Sequence, residues 1–416
     1  MKFQRHPYFS ASATRALAVA LILALGQVGA AAALDLPASG QTTAYPADKN
    51  DAIPGAVAVP DDGTLQAGAN LSYVDNGDGT VTDLTTGLMW EKKGDNGGLH
   101  DKDNAYAWSG SGTQETVWDW LDDVNVEGGT GFAGYNDWRI PNAKELESLV
   151  DFQQSPPMIS VPFHAGCVAG VSALQGSCTA VAVYASSTTW ARSTGMAWGV
   201  SFYEGLLFPY DKTSGLRVRA VRGGASGPGG FPATGQTTAY TANKNDGIPG
   251  AVAVPDDGTL RAGSPLSFTD NGNGTLTDNN TGLVWEKKGD GGGLHDKDNS
   301  YWWTGNGIEE TVWDWLDDIN QEGFGGFADW RLPNARELLS IANFQNQWAL
   351  PAAFNSGCSP GVSPLSGSCA FLGSYWTSTT RASSGFSAWY ADLYGGLAPY
   401  FKATNFRTRA VRGGTP

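Results

Sequence analysis

The segment LSYVDNGDGTVTD at residues 71–83 recurs as LSFTDNGNGTLTD at residues 266–278, 195 positions further on. In each copy, two short runs of alternating apolar and polar residues flank a glycine-rich turn. This pattern predicts a β-hairpin. Because the sequence on both sides of the hairpin repeats as well, the chain is one domain written twice.

The repeat sets the predicted domain organisation. We predict a first domain over residues 40–224, a Gly/Pro-rich spacer over residues 225–234 and a second domain over residues 235–414. Each copy is long enough to bury its own core, and the composition of the spacer predicts a flexible connection.

Two helices are predicted in each copy. Val117, Trp120 and Val124 have helical spacing, and a second helix begins where Asn142 can cap it and Glu145 completes a capping box. The chain of each copy then runs through a long loop and ends in strands. The order predicts an α+β fold with a twisted antiparallel sheet.

The first 33 residues have the features of a secretory signal peptide. Lys2 and Arg5 precede an apolar run at residues 16–25, and small residues follow at 30–33. This run is too short to span a bilayer, and no later stretch is long enough. We therefore expect an exported protein without a transmembrane segment, in the periplasm, secreted or at the cell surface.

The four cysteines form two pairs with the same spacing, Cys167 with Cys178 and Cys358 with Cys369. An exported chain meets an oxidising compartment, so one disulfide per copy is predicted. A metal-binding or redox pair is the alternative, but the chain has no CxxC motif.

The charge balance excludes some partners. The chain carries 41 acidic against 26 basic residues, a net charge of −15. Nucleic acid is a poor partner for such a surface. The acidity is compatible with cation binding.

An acidic loop is the candidate metal site of each copy. Carboxylate and amide oxygens within four positions suit Ca²⁺, whereas a hydrogen-bonded turn in water is the alternative. The candidate ligands are Asp101, Asp103, Asn104, Asp296, Asp298 and Asn299. The histidine in the same loop, His100 or His295, is predicted to form structural hydrogen bonds, and no catalytic residue is predicted.

Basic residues recur on the closing strands. Strand alternation places Arg217 and Arg219 on one face, with Val218 on the other. We predict that this basic surface binds an anionic sugar or partner; pairing with carboxylates is the alternative. Its members are Lys212, Arg217, Arg219, Arg222, Lys402, Arg407, Arg409 and Arg412.

The motifs at residues 75–90, 98–104, 137–146, 184–189 and 217–224 resemble, in this order, the Lcl C-terminal domain family. The matching segments of the second copy are residues 270–285, 293–299, 329–338, 375–380 and 407–414. The resemblance implies a binding domain of bacterial surface adhesins, whose known ligands are sulfated glycosaminoglycans. The order of elements also resembles C-type-lectin-like folds, including the formylglycine-generating type. This resemblance to C-type-lectin-like folds implies two tandem domains, each with two helices and a disulfide-closed loop region.

These observations together predict a binding or adhesion module. Its partners would be extracellular or cell-envelope polysaccharide or protein. The alternatives are a structural cell-surface protein without a small ligand and an enzyme of the formylglycine-generating type. Nothing in the sequence indicates the oligomeric state.

Overall fold

The computed structural model describes residues 33–50, 55–111, 113–224, 230–345, 350–392 and 396–414. All but the last residue of the predicted signal peptide, and residues 225–229 of the spacer, lie outside these ranges. The fold is mixed α+β, with many short strands and few helices, as predicted.

The strands of the first repeat are β1 (Tyr73–Asp75), β2 (Thr80–Asp83), β3 (Leu88–Glu91), β4 (Ala105–Tyr106), β5 (Val183–Thr189), β6 (Met196–Ser201), β7 (Leu207–Asp211), β8 (Leu216–Arg217) and β9 (Val221–Gly223). Those of the second repeat are β10 (Thr241–Ala242), β11 (Val252–Ala253), β12 (Phe268–Asp270), β13 (Thr275–Asp278), β14 (Val284–Glu286), β15 (Tyr301–Trp302), β16 (Ser374–Thr380), β17 (Ser387–Asp392), β18 (Gly396–Phe401), β19 (Asn405–Phe406) and β20 (Val411–Arg412).

The helices are α1 (Asp62–Leu65), α2 (Val117–Val126), α3 (Ala143–Glu147), α4 (Asp257–Leu260), α5 (Val312–Glu322) and α6 (Ala335–Ser340). Short 3₁₀ turns lie at Glu127–Gly129, Phe132–Gly134, Val161–Phe163, Phe324–Gly326 and Ala352–Asn355. None of the helices in the described ranges is long and apolar enough to cross a membrane.

Both predicted helices are present, and the predicted start of the second is confirmed. Thr116 caps α2 in a reciprocal box with Asp119, and Asn142 caps α3 in the same way with Glu145. These boxes satisfy backbone N–H groups that the first helical turn leaves unpaired. The helix α3 is shorter than its apolar pattern predicts, although Leu149 beyond its end is still buried.

The predicted hairpin is the centre of a small antiparallel sheet. In it, β1 pairs with β2 from Tyr73 opposite Asp83 to Asp75 opposite Val81, and the strand order is β1-β2-β3-β9. The second repeat builds the same sheet in the order β12-β13-β14-β20. Strands distant in sequence thus bring the closing segment of each repeat beside its hairpin.

A larger sheet is shared by both repeats. Its eight strands follow the order β16-β17-β18-β7-β6-β5-β8-β4. The repeats meet where β7 pairs with β18, at Leu207 opposite Leu397. Aromatic rings pack across the same junction, with 4.9 Å between the ring centroids of Phe152 and Trp389 and 5.2 Å for Trp198 and Phe344. One cluster of buried residues therefore spans both repeats, whereas two further clusters each lie mainly within one repeat. The expectation that each copy buries its own core is only partly met.

The repeats also exchange their leading segments. We call the described residues 36–50 and 55–69 the first arm, and residues 231–264 the second arm. The amide nitrogen of Gln41, in the first arm, donates to the carbonyl of Thr380 in the second repeat at 2.5 Å. Reciprocally, Gln236 of the second arm donates to the carbonyl of Thr189 at 2.7 Å. Each arm is thus bound by the opposite repeat.

The spacer is not flexible along its described part. Phe231, Ala233 and Thr234 are buried, and the Lys144 ammonium donates to the Ala233 carbonyl at 3.0 Å. The flexible-spacer prediction is therefore wrong for these residues, because they begin the second arm. The domain boundaries themselves stay a prediction.

Both predicted disulfides are confirmed. The Cα atoms of Cys167 and Cys178 are 5.0 Å apart, and those of Cys358 and Cys369 are 4.9 Å apart. The first disulfide closes a loop between α3 and β5, and the second closes a loop between α6 and β16.

Candidate functional site: a duplicated carboxylate–histidine centre

Four local elements bring together a charged centre in the first repeat. The strand β3 ends at Glu91, the acidic loop carries His100, and the turns after α2 carry Glu127 and Phe132. Glu91 is fully buried and is oriented by the backbone N–H of Ala220, which donates to its Oε2 at 2.8 Å. The closing segment of the repeat therefore positions the carboxylate.

The imidazole of His100 bridges two carboxylates. Its Nδ1 lies 2.6 Å from Glu91 Oε1, and its Nε2 lies 2.9 Å from Glu127 Oε2. The ring lies against Phe132, with 3.9 Å between ring centroids. Glu91 Oε1 also lies 2.8 Å from the Nζ of Lys93, which is itself buried. With an acceptor at each nitrogen, the doubly protonated imidazolium suits this position.

The pKa values follow from these contacts. Burial opposes ionisation of Glu91, but the charge of Lys93 and the hydrogen bond from His100 outweigh it and lower the pKa of Glu91 to about 2. Burial likewise opposes protonation of His100, yet its hydrogen bond to Glu91 leaves the His100 pKa raised. Burial lowers the pKa of Lys93 despite the neighbouring carboxylate. The centre therefore favours an ionised Glu91 carboxylate in contact with Lys93 and His100.

A glycine in the hairpin turn leaves room for the ring of Phe132. Gly79 has a φ of +94°, and a Cβ atom there would lie 2.8 Å from the Phe132 ring. The left-handed backbone and the close ring both favour glycine at this position. The same relationship links Gly274 with Phe324, where the distance is also 2.8 Å.

The second repeat builds the same centre. His295 Nδ1 lies 2.7 Å from Glu286, and its Nε2 lies 3.2 Å from Glu322. Lys288 contacts Glu286 at 2.8 Å, and the His295 and Phe324 ring centroids are 3.8 Å apart. The arrangement is thus built twice from residues about 195 positions apart.

An open cleft borders the centre in the first repeat. It has a volume of about 460 Å³ and combines carboxylate, amide and imidazole groups with apolar side chains. The side chain of Glu127 is 41% exposed, so it presents a carboxylate to the cleft while it binds His100. The residues of the wall include Asp78, Asn96, Leu99, His100, Glu127 and Phe132. Such a wall suits a polar ligand with hydroxyl groups.

The carboxylates of the predicted calcium loop do converge. One oxygen each of Asp95, Asp101 and Asp103 lies within 4.8 Å of the others. The Lys102 ammonium already lies among them, 3.1 Å from Asp95 and 2.5 Å from Asp103. One ammonium group thus offsets part of the negative charge of the three carboxylates. The second repeat brings Asp290, Asp296 and Asp298 together in the same way around Lys297.

The side-chain amides of the asparagines in this loop donate hydrogen bonds to backbone carbonyls. The amide nitrogen of Asn104 donates to the carbonyls of Gly98 at 2.8 Å and Leu99 at 3.1 Å. Asn299 donates to the carbonyl of Gly293 at 2.7 Å. Asp101 accepts from the backbone of Asp103, which forms the hydrogen-bonded turn weighed as the alternative to calcium.

Two of the predicted ligand-binding arginines are inside the protein. Arg219 is fully buried and donates to the carbonyl of Glu91 at 2.6 Å and the hydroxyl of Thr179 at 2.8 Å. Arg409 is buried in the same way against the carbonyl of Glu286. The predicted ligand role is wrong for both. The alternation argument failed because the chain leaves the strand after Arg217.

Five of the other six predicted cations contact a carboxylate or an aromatic ring of the protein. Arg222 contacts Asp137 at 2.6 Å, and Arg412 contacts Asp329 at 2.7 Å. The ammonium of Lys212 lies 3.5 Å from the ring centroid of Trp108, and Lys402 has the same distance to Trp303. The half-buried Arg217 lies opposite Ala105 in a strand pair, and the Arg407 guanidinium is 3.7 Å from the Phe371 ring centroid. The eight side chains do not form one basic surface.

Sequence reasoning did not select Glu91, Glu127 or Phe132. A signal was present, because Glu91 and Lys93 recur in the second copy upstream of the histidine loop. Glu127 lies 27 positions beyond His100, so only the folded chain brings the two together.

Fold and site together define an α+β protein of two disulfide-closed repeats, each with a buried carboxylate–lysine–histidine centre. The family model of the Lcl C-terminal domain matches residues 79–222 and 274–412, which together exceed half of the chain. The chain therefore belongs to the Lcl C-terminal domain family, in two tandem copies. Among curated proteins, no relative matches the chain.

Proposed function

We propose that this protein is an exported binding module that recognises saccharide through the cleft beside His100 and through the matching surface at His295. One observation carries the proposal: the same charged centre is built twice, and in each the outer carboxylate is exposed. The exposed fraction is 41% for Glu127 and 48% for Glu322.

The chemistry of the cleft supports a sugar ligand. Glu127 is held by His100, so its second oxygen is oriented without further loss of side-chain freedom when it accepts from a ligand hydroxyl. Asn96 adds an amide, and Leu99 adds apolar surface for the C–H face of a sugar ring. A volume of about 460 Å³ is in the range of small-ligand sites.

The charge distribution favours a neutral saccharide. The family resemblance implies sulfated glycosaminoglycans, which require exposed cations. Arg219 and Arg409 are buried, and Arg222 and Arg412 are paired with carboxylates. With a net charge of −15, a polyanion would be repelled.

Export and a C-type-lectin-like topology belong to the same proposal. Disulfides are typical of oxidising compartments, and both pairs of cysteines form them. The periplasm, the medium and the cell surface all provide such conditions. Two sites in one chain also increase the affinity for a polymer by avidity.

The proposal is favoured over catalysis of the formylglycine-generating type. That chemistry expects reactive thiols or a metal-bound centre, and the described residues include no free cysteine. The other alternative, a structural surface protein, gives no reason for an exposed carboxylate anchored on a buried histidine in both repeats.

A glycan array with calcium and with chelator tests the proposal. We expect binding of neutral saccharides by the mature protein under both conditions. The double variant Glu127→Gln/Glu322→Gln should lose it about tenfold. Asp123→Asn/Asp318→Asn removes exposed carboxylates from the same helices and should keep it. The proposal is refuted if the mature protein binds no glycan on the array. It is also refuted if Glu127→Gln/Glu322→Gln binds as tightly as the mature protein.

A further inference from the structure

An aromatic surface covers one end of the hairpin β17–β18 in the second repeat. It consists of Phe386, Tyr390, Tyr400, Phe401 and Phe406. Phe386 is 83% exposed, Phe401 66% and Tyr400 46%. These rings lie at the surface of a strand pair whose other residues are mostly buried or small.

Four of the rings form a continuous group, and Phe386 is placed beside it by the strand pairing. The centroid of Tyr390 lies 4.9 Å from that of Phe406 and 6.1 Å from that of Tyr400. Tyr400 is 5.5 Å from Phe406 and 6.1 Å from Phe401. Phe386 precedes Ser387, the residue paired with Phe401, and its carbonyl accepts from the backbone N–H of Lys402. The group is therefore a surface rather than scattered side chains.

The first repeat lacks this surface although its backbone is the same. Trp389 pairs with Pro399 in the second repeat as Trp198 pairs with Pro209 in the first, so the positions correspond. The counterparts of Phe386, Tyr390, Phe401 and Phe406 are Gly195, Gly199, Asp211 and Leu216. The fold itself does not require these four rings, since the first repeat forms the same strands without them and, of the five positions, keeps an aromatic residue only at Tyr210, the counterpart of Tyr400.

Exposed aromatic groups of this kind indicate a binding surface. Apolar side chains in contact with water oppose solubility, and contiguous patches mark interaction sites. The hydroxyl groups of Tyr390 and Tyr400 add hydrogen-bonding capacity at its centre. Burial and the nearby carboxylate of Asp392 raise the pKa of Tyr390, so this hydroxyl stays protonated.

The chemistry of the surface favours a neutral polysaccharide chain. Rings with a negative face attract the polarised C–H groups of a sugar, and tyrosine hydroxyls bond to its hydroxyl groups. The acidic chain, with Asp392 at the margin, would be repelled by anionic lipid or a polyanion.

We propose that this aromatic surface is a second saccharide site, present only in the second repeat, which holds a neutral linear polysaccharide by ring stacking. It is separate from the cleft beside His100 and does not require that site to function. The two repeats thereby differ in role, with the carboxylate–histidine centre in common and the stacking surface in one.

Affinity electrophoresis in native gels containing hydroxyethylcellulose, with chitin beads as a second probe, tests this site. We expect the mature protein to be retarded by the polymer. Phe386→Gly/Phe401→Asp installs the residues of the first repeat and should weaken retardation about tenfold. Tyr400→Ser should weaken it also, whereas Tyr210→Ser, at the corresponding position of the first repeat, should not.

The outcomes separate the two proposals. Retardation that survives in Glu127→Gln/Glu322→Gln supports an independent aromatic site even if the cleft binds nothing. The inference fails if neither hydroxyethylcellulose nor chitin binds the mature protein, or if Phe386→Gly/Phe401→Asp binds as tightly. It also fails if Tyr210→Ser and Tyr400→Ser weaken binding equally, or if the protein sediments with phosphatidylcholine vesicles and ignores both polymers. Melting curves confirm that each variant is folded.

Discussion

The hydroxyl of Thr188, in the first repeat, donates a 2.7 Å hydrogen bond to the buried carboxylate of Asp257, in the second arm. The relationship is reciprocal, since Thr379 of the second repeat donates to Asp62 of the first arm at 2.5 Å. The arm of each repeat therefore contacts the other repeat, as in a dimer whose subunits exchange their arms. Neither arm is bound entirely by its own repeat.

The first prediction concerns the separated repeats. If the chain is divided within residues 225–229, co-expressed halves should associate one to one, because each provides the arm that the other binds. Either half alone should melt at a lower temperature or form a homodimer, since its arm site is otherwise empty. Light scattering after gel filtration and thermal melting measure both. Two monomeric halves as stable as the intact chain would contradict arm exchange.

A second prediction concerns Asp257 and pH. Burial raises the pKa of Asp257 to about 7, although hydrogen bonds from Thr234 and Thr188 oppose the shift. Between the unfolded value near 3.8 and pH 7, the folded state binds the extra proton. Stability should therefore fall as pH rises through this window.

The variant Asp257→Asn removes this titration. Denaturant unfolding at several pH values between 4 and 8 should give a flatter profile for the variant than for the parent protein. Asp246→Asn, an exposed residue of the same arm, serves as the control and should leave the profile unchanged. An unaltered profile in Asp257→Asn would show that other groups cause the dependence.

The third prediction concerns the buried charges at Glu91. Glu91→Gln leaves Lys93 buried without its counter-charge, and loss of one partner of a buried pair costs about 3–5 kcal/mol of unfolding free energy. Asp137→Asn breaks the surface contact with Arg222 and should cost less than about 1 kcal/mol. Chemical denaturation of both variants measures the difference. Equal, small losses would mean that Lys93 finds another partner or releases its proton.

Glu91 also predicts an acid limit to stability. Its folded pKa is lowered to about 2 from 4.5, so the unfolded state binds the proton first as pH falls. The stabilisation is complete above pH 4.5 and is lost progressively toward pH 2. Glu91→Gln should lose less stability than the parent over this interval.

The fourth prediction concerns calcium. Because the ammonium groups of Lys102 and Lys297 already lie against the two sets of carboxylates, millimolar calcium should leave the melting temperature unchanged relative to chelator. Lys102→Met/Lys297→Met removes that charge, so the variant should melt lower and regain stability with calcium. Lys244→Met, which breaks an exposed contact with Asp122, should show no calcium response. Stabilisation of the parent protein by calcium would instead support the calcium site that the sequence predicts in the acidic loops.

The local sequence determined the repeat, several secondary-structure elements and both disulfides of this protein. The repeat predicted two copies of one fold, the glycine-rich turn predicted the hairpin from Tyr73 to Asp83, and Asn142 with Glu145 predicted the start of α3. The cysteine spacing predicted both disulfides. Each of these depends on residues a few positions apart, where backbone geometry leaves few choices.

Only the tertiary structure decided which surfaces meet. The two repeats have nearly the same sequence, so the pattern of either arm fits both repeats equally well, and chain connectivity and packing select the opposite one. Strand alternation predicts that Arg219 shares a ligand-binding face with Arg217, yet Arg219 is buried and bonds to the carbonyl of Glu91. The contact between His100 and Glu127 likewise depends on how the loop packs against the end of α2. Local patterns determine elements, whereas burial and charge pairing between distant segments determine the site.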